Sequence, residues 1–270
     1  MHLVMKKERY FNFNNYLQKV RSKGRYSITL SELQENTNLS YKAIQQTIFR
    51  AKTNKKIAQI RQGFYVIIPP EYSNLGILPV YLYIDDLMQF IKRDYYLGLF
   101  SAASIHGASH QQTMNTQVII EYPALRKIKN DKLEIIFFTK NKWAKNNLIE
   151  KKTDAGYIKV SSPELTVLDL IYYHKRIGGI NRALSIIEEL SEEINPQKLY
   201  ETAQVFKSYT TIQRLGFIFD EIFNETTLAN SLYKSIENKK TNRTLLSSLS
   251  RNKGKINKKW KVVINIDIDY

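Results

Sequence analysis

Lys42, Gln45, Gln46 and Phe49, flanked by Arg50, share one face of a helical repeat in the stretch YKAIQQTIFRAKT. These side-chain types can read nucleic acid by hydrogen bonding. A glutamine amide matches the adenine edge in a major groove, and arginine or lysine matches guanine. The opposite face carries Ile44, Thr47, Ile48 and Ala51, an apolar stripe that asks for burial. Such a helix spends one side on packing and leaves amides and cations on the other.

Other candidate chemistry is thin. The sequence has no phosphate-binding loop of the G-x-x-x-x-G-K type, no dinucleotide fingerprint, no kinase signature and no nucleophile elbow. His106 and His110 are four apart, but Gly107 interrupts them and no third ligand stands nearby, so no metal site is expected. Asp85-Asp86 reads as a charge at a helix start, and Glu188-Glu189 with Glu192-Glu193 as a solvated face. Glu164 and Asp169 fall in the opening turns of a helix after Pro163, where carboxylates favour the dipole; structural roles are expected of both. No catalytic residue, metal or cofactor is expected.

The elements that position the polar face run from Tyr26 to Ile68. A short strand leads to Ser31, whose S-x-x-Q spacing with Gln34 predicts a capped helix. Thr37-Asn38 marks a turn, and Ser40 caps a second helix to about Thr53. A hairpin follows: Ile57 to Ile60, the turn Arg61-Gln62-Gly63, then Phe64 to Ile68. A first helix within residues 6–23 closes the core through Phe11, Phe13, Tyr16, Leu17 and Val20. Lys19, Arg21, Lys23 and Arg25 after it either touch phosphate or form a solvated face. This order predicts a winged helix-turn-helix that binds double-stranded DNA. Its expected contacts are Ser40, Tyr41, Lys42, Gln45, Gln46, Arg50, Lys52, Lys55 and Lys56, with Arg61 and Gln62 on the wing.

Charge supports the division. Residues 1–70 hold 13 Lys/Arg against 3 Asp/Glu, a net of +10. Residues 71–223 hold 18 against 18, and residues 224–270 hold 10 against 4. A surplus segregated in this way is the footprint of a polyanion-binding module joined to a module with another task. At 270 residues and 43% hydrophobic content the chain can bury two cores. It has no cysteine, which fits a reducing cytoplasm, and no run of about 18 apolar residues, the length a membrane helix needs.

Pro69-Pro70 through Pro79 is the clearest boundary. The expected organisation is a DNA-binding domain over residues 1–70, a linker over 71–79 and a second domain over 80–270. In the latter, a small-residue helix over residues 101–107 implies close packing. Strands are expected at Gln117 to Tyr122, Leu133 to Thr139 and Gly156 to Val160. Pro163 opens one helix, Gly178-Gly179 ends it, and three amphipathic helices follow. Residues 241–259 are basic and rich in Ser and Asn, which predicts a mobile segment. Residues 260–269 alternate, with Ile264, Ile266 and Ile268 on one side, and predict a terminal strand joining the sheet of the second domain. The fold class is α+β: a winged helix-turn-helix followed by a larger mixed α/β domain.

The runs YYLGLFSAASIHGASHQQ, GYIKVSSPELTVLDLI and KWKVVINIDID, with the winged helix ahead of them, resemble the AbiEi-type antitoxins of bacterial abortive-infection toxin–antitoxin systems. The resemblance implies an autorepressor that sits on inverted repeats in its own promoter. It also implies a second domain that neutralises a partner toxin of the AbiEii nucleotidyltransferase type, a role in phage defence. Partner-binding positions carried by the resemblance are Ser101, His106, His110, Gln111, Ser161, Ser162 and Glu164. The wing departs from the family, which is often more densely Arg-rich there; here Arg61 stands at the tip beside Gln62. Two alternatives remain: a transcription regulator whose second domain senses a ligand, and an enzyme that modifies the toxin.

Overall fold

The protein is described by a computed structural model covering residues 11–108 and 115–268. It forms two compact units. The first holds the described residues up to Asp94 with the short segments 128–133 and 151–158; the second holds the remainder. Among the described residues no helix is long and apolar enough to cross a membrane.

The first unit begins with α1 (Phe13–Arg21), β1 (Ser27–Thr29), α2 (Leu30–Asn36), α3 (Tyr41–Thr53), β2 (Ile57–Arg61) and β3 (Phe64–Ile67). The strands lie in the order β1-β3-β2, with both pairings antiparallel. Leu17, Ile28, Leu33, Ile44, Ile48, Ala51, Ile57, Tyr65 and Ile67 fill its core. This is the winged helix-turn-helix that the order of elements predicts. The capping box sits two residues earlier than the Ser31–Gln34 spacing suggests. Thr29 accepts from the Glu32 amide, and Glu32 returns to the Thr29 amide. Glu32 also takes the guanidinium of Arg25 at 2.6 Å, an ion pair that the Ser31 register would lack. The unit does not stop at Pro69-Pro70. α4 (Ile84–Phe90) sets the Phe90 ring 5.4 Å from Phe64, and Asp86 accepts a hydrogen bond from Ser27.

The second unit opens with β4 (Tyr95–Leu97), α5 (Leu99–Ile105) and β5 (Thr116–Glu121). β7 (Leu133–Lys140), β8 (Leu148–Thr153) and β9 (Gly156–Ser161) follow; β6 (Ile128–Asn130) and the adjoining ends of β8 and β9 fall in the segments assigned to the first unit. The middle of its sheet runs β7-β5-β4-β9. β5 pairs in parallel with β7 and antiparallel with β4. Helices α6 (Pro163–Tyr172), α7 (Asn181–Ser191), α8 (Pro196–Val205), α9 (Tyr209–Phe217) and α10 (Thr226–Ile236) form the helical part, with a π-helical stretch, Ile218–Ile222, continuing α9. One apolar core joins sheet and helices.

A polar group lies inside that core. Asp169 in α6 has no exposed surface. Its carboxylate accepts from the Tyr96 hydroxyl and from the Lys140 ammonium, each at 2.7 Å. Burial first, and then the charge of Asp169, pushes the Tyr96 hydroxyl well above its ordinary pKa, which keeps it a donor. Asp169 therefore matches a cation from the sheet rather than the helix dipole. Glu164 is also buried; it accepts the Asn195 amide at 3.1 Å, while the Asn195 side chain caps α8.

The C-terminal part differs from expectation. Residues 241–259 are not without structure: β10 (Thr244–Leu245) and β11 (Lys255–Asn257) lie within them. The terminal strand is short, β12 (Val262–Ile264), and it pairs with β10 and β11 in a sheet of its own rather than with the larger sheet. Trp260 anchors this sheet to α9 and its continuation. Its indole donates to Asp220 at 2.8 Å, and its carbonyl accepts from Gln213 at 2.8 Å. Its ring fills the space beside Gly216, where a Cβ would lie 2.0 Å from a ring carbon. A glycine inside a helix costs about 1 kcal/mol relative to alanine; here the indole requires it. Nearby, buried His174 has Nδ1 2.8 Å from the Ile171 carbonyl and Nε2 2.7 Å from the Ser248 hydroxyl. A carbonyl only accepts, so Nδ1 carries the proton and Nε2 accepts.

Three outcomes follow from this packing. Gly216→Ala loses about 1–3 kcal/mol by overpacking, read as a lower urea midpoint. Lys140→Met leaves Asp169 buried without its cation and loses about 3–5 kcal/mol; adding Asp169→Asn to Lys140→Met recovers part of that loss, whereas strictly additive losses would deny the coupling. Burial, then the cations Arg214 and Lys175, hold His174 below its ordinary 6.5 despite its backbone hydrogen bond. The unfolded chain binds that proton first, so stability falls as pH drops below 6.5. The thermal midpoint should show a shallower decline between pH 7.5 and 5.5 in His174→Gln than in the parent.

Candidate nucleic-acid interface

Ser40 caps α3 by accepting the Ala43 amide at 3.3 Å. Ile44, Ile48 and Ala51 are buried in the first unit's core, which turns the rest of α3 outward. Tyr41, Lys42, Gln46, Phe49 and Arg50 are exposed, and Gln45 is half-buried. Phe49, on the same face, is 71% exposed, an aromatic ring open to solvent beside the polar side chains.

The charges on α3 run against what an isolated helix prefers. Its first turn has no acidic residue and carries Lys42 at the positive end of the dipole. That arrangement costs helix stability but favours an anion at the amino end, as a phosphate would be. Arg50 and Lys52 in the last turn agree with the dipole. Among the described residues Lys42, Arg50, Lys55 and Arg61 take part in no ion pair. Lys52 donates to the Gln59 amide oxygen at 2.7 Å, tying α3 to the hairpin. Lys56 donates to Asn14 at 2.8 Å, tying the α3–β2 connection to α1. Both partners are neutral, so both lysines keep an uncompensated charge. Lys55 sits between them in the left-handed region at φ 53°. Arg61 and Gln62 are exposed at the hairpin tip, and Gly63 supplies its φ of 79°. The register of β2 shifts between Gln59 and Arg61, a bulge that twists the wing. Thus all eleven expected contacts lie in α3, its flanks and the hairpin of one unit.

The partner positions behave differently. Ser101 is buried and accepts the Gln117 amide at 2.9 Å. His106 Nε2 lies 2.7 Å from the Ser161 carbonyl. The Ser161 hydroxyl shares a 2.7 Å hydrogen bond with Thr166, and Ser162 caps α6. With Glu164 holding the start of α8, these five residues join α5, β9, α6 and α8 from inside. Ser101, Ser161 and Glu164 are buried, whereas His106 and Ser162 are half-buried. His110 and Gln111 lie outside the described residues.

Spacing gave no notice of a cavity in the second unit that brings Lys140 and Lys142 beside Phe206 and Lys207. Its walls come from segments far apart in sequence, and the only local sign is the interleaving in Lys140-Asn141-Lys142-Trp143.

Comparison with known proteins agrees with this architecture. The fold resembles the crystal structure of the RV2827C protein from Mycobacterium tuberculosis, with a TM-score of 0.64 at 13% identity, covering 93% of this chain and 90% of that one. A weaker likeness, TM-score 0.39 at 10% identity, is to an antigenic nucleotidyltransferase-like protein from Paracoccidioides brasiliensis, covering 55% of this chain and 89% of that one. No curated protein sequence matches. Residues 96–221 match the family described as the AbiEi antitoxin C-terminal domain. Behind a winged helix-turn-helix, then, the chain carries a region, residues 96–221, that matches the AbiEi antitoxin C-terminal domain.

Proposed function

We propose that this chain is a two-part cytoplasmic antitoxin. The winged helix binds inverted repeats in the chain's own promoter and represses it. The second unit neutralises a cognate nucleotidyltransferase-like toxin. The observation that carries the first half is the outward face of α3: amides and unpaired cations, on a segment with a net charge of +10. Insertion into a major groove would set Gln45, Gln46 and Arg50 against base edges, with Lys42, Lys55 and the wing on phosphates. The family match carries the second half. The cavity favours one other reading, a regulator whose second unit senses a small ligand.

Promoter binding by the full chain, measured by fluorescence anisotropy across a salt series, tests the proposal. Each phosphate contact contributes a slope of about −0.9 in log affinity against log salt. Replacing Lys42, Gln45, Gln46 and Arg50 by Ala should weaken binding by about 100-fold or more and flatten the slope, given about 1–3 kcal/mol for each base contact. The same variant should still protect cells that express the toxin from the adjacent gene. Unchanged affinity and slope would remove α3 from the interface; loss of protection in a folded variant would refute the division of labour.

A further inference from the structure

The cavity in the second unit has a volume of about 510 Å³, within the range of small-ligand sites. It lies between the end of β7 with the connection after it, the end of α6, and the α8–α9 connection. We propose that it binds a nucleoside phosphate, with the base against its aromatic wall and the phosphate on Lys142 and Lys207.

The sign of the ligand's charge comes from the lining. Three lysines and no carboxylate face the cavity. Lys140 is already matched: Asp169 holds its ammonium at 2.7 Å, and that ammonium lies 4.1 Å from the centre of the Phe206 ring. Lys142 and Lys207 are exposed, and neither is in an ion pair among the described residues. They come from different connections, Lys142 after β7 and Lys207 after α8, and line one cavity. Ser208, the N-cap position of α9, is also part of the wall, which adds the positive end of a nine-residue helix.

The class of ligand comes from the rings. Tyr172 is 45% exposed, yet edge contacts to Tyr173 at 4.8 Å and Phe206 at 5.7 Å hold it in place. Trp143 lies edge-on to buried Tyr96 at 5.1 Å. Rings fixed in this way are stacking platforms that lose little freedom on binding a flat base. Asn141 and Thr139 add donors and acceptors suited to a base edge. A simple inorganic anion would leave the aromatic wall unused, and a neutral aromatic would leave two cations unmatched. The ligand with both parts is a base joined to a phosphate, either a free nucleotide or the end of a nucleic-acid strand. The inference is independent of whether α3 reads a promoter.

The test is calorimetric titration of the full chain, carrying Lys42→Ala and Arg50→Ala to quiet the winged helix, with AMP, GMP, CMP and UMP. Adenosine and inorganic phosphate serve as part-ligands. At least one monophosphate should saturate, with either part-ligand about tenfold weaker or worse. Binding should quench the fluorescence of Trp143, and Trp143→Phe should remove the quench, because Trp260 is buried elsewhere. Lys142→Ala with Lys207→Ala should cut affinity about tenfold or more while leaving the thermal midpoint unchanged, since both side chains are exposed. A 5′-phosphorylated dinucleotide binding more tightly than the monophosphate would assign the site to a strand end, and equal binding to a free nucleotide. No saturable heat to several millimolar, or binding that survives loss of both lysines, would overturn the proposal.

Discussion

A carboxylate with no exposed surface must be neutralised or matched, and the second unit is arranged around matching one. Asp169 receives Lys140 from the end of β7 and Tyr96 from β4, so one side chain on α6 fixes two strands against the helix. Four residues later, at the C-cap of α6, Tyr173 donates to the Thr139 carbonyl at 2.7 Å. The same helix therefore holds both the side chain of Lys140 and the backbone just before it. The connection leaving β7 starts from a fixed point, and that connection forms one wall of the cavity. A buried ion pair adds little net stability over an apolar replacement, but breaking it on one side is costly. Its value here is registration: it determines where the last residue of β7 sits relative to α6.

The first unit meets the opposite electrostatic problem. Its core is small, and its surface carries cations that mostly lack partners. Arg25 is matched by Glu32 and Arg21 lies near Glu71, but α3 and the hairpin tip have no such relief. Unscreened repulsion among Lys42, Arg50, Lys52, Lys55 and Lys56 lowers the stability of the unit. A chain selected for stability alone would place an acid in the first turn of α3. The departure from local preference is confined to the face that packing leaves free, which is where function and stability are expected to compete.

Much of this was legible in sequence because it rests on local periodicity. The Ser40 cap, the span of α3, its buried stripe and the hairpin turn all follow from spacing within a few residues. The failures share one cause: choices settled by distant partners. Two capping boxes overlap at Thr29 and Ser31, and the ion pair from Arg25 to Glu32 is compatible with the first. The terminal alternation placed Asn265 on a polar face. Asn265 is buried instead, bonding both backbone groups of Ser247 and the carbonyl of Ser250 through its amide. That clamp gives order to a Ser- and Asn-rich segment and ends β12 early, although Ile264, Ile266 and Ile268 still pack on the core as their spacing implied. The family positions carry hydrogen bonds within the fold that spacing does not reveal. Small and polar residues such as Ser101, Ser161 and Ser162 mark tight junctions as readily as contacts, and only the fold shows which.

Net charge misleads in the same way. Residues 71–223 sum to zero, which suggests a body indifferent to anions. Yet a sum over a segment says nothing of placement. The acids of α7, Glu188 and Glu189, lie well apart in sequence from the lysines at residues 140–142 and 207, and no acid lines the cavity. Screening limits the reach of exposed charges to about 8–10 Å at physiological salt. At its wall the cavity presents three lysines, of which Lys140 alone is in an ion pair among the described residues. The same reasoning separates the two proposed anion-binding surfaces. On α3 and the wing, cations are spread over the exposed face of several elements, which suits the repeated charge of a duplex. In the cavity, two free cations converge beside fixed rings, which suits one phosphate and one base. A polyanion would gain little there beyond its terminal residue, because only that residue can enter a concave site of this size.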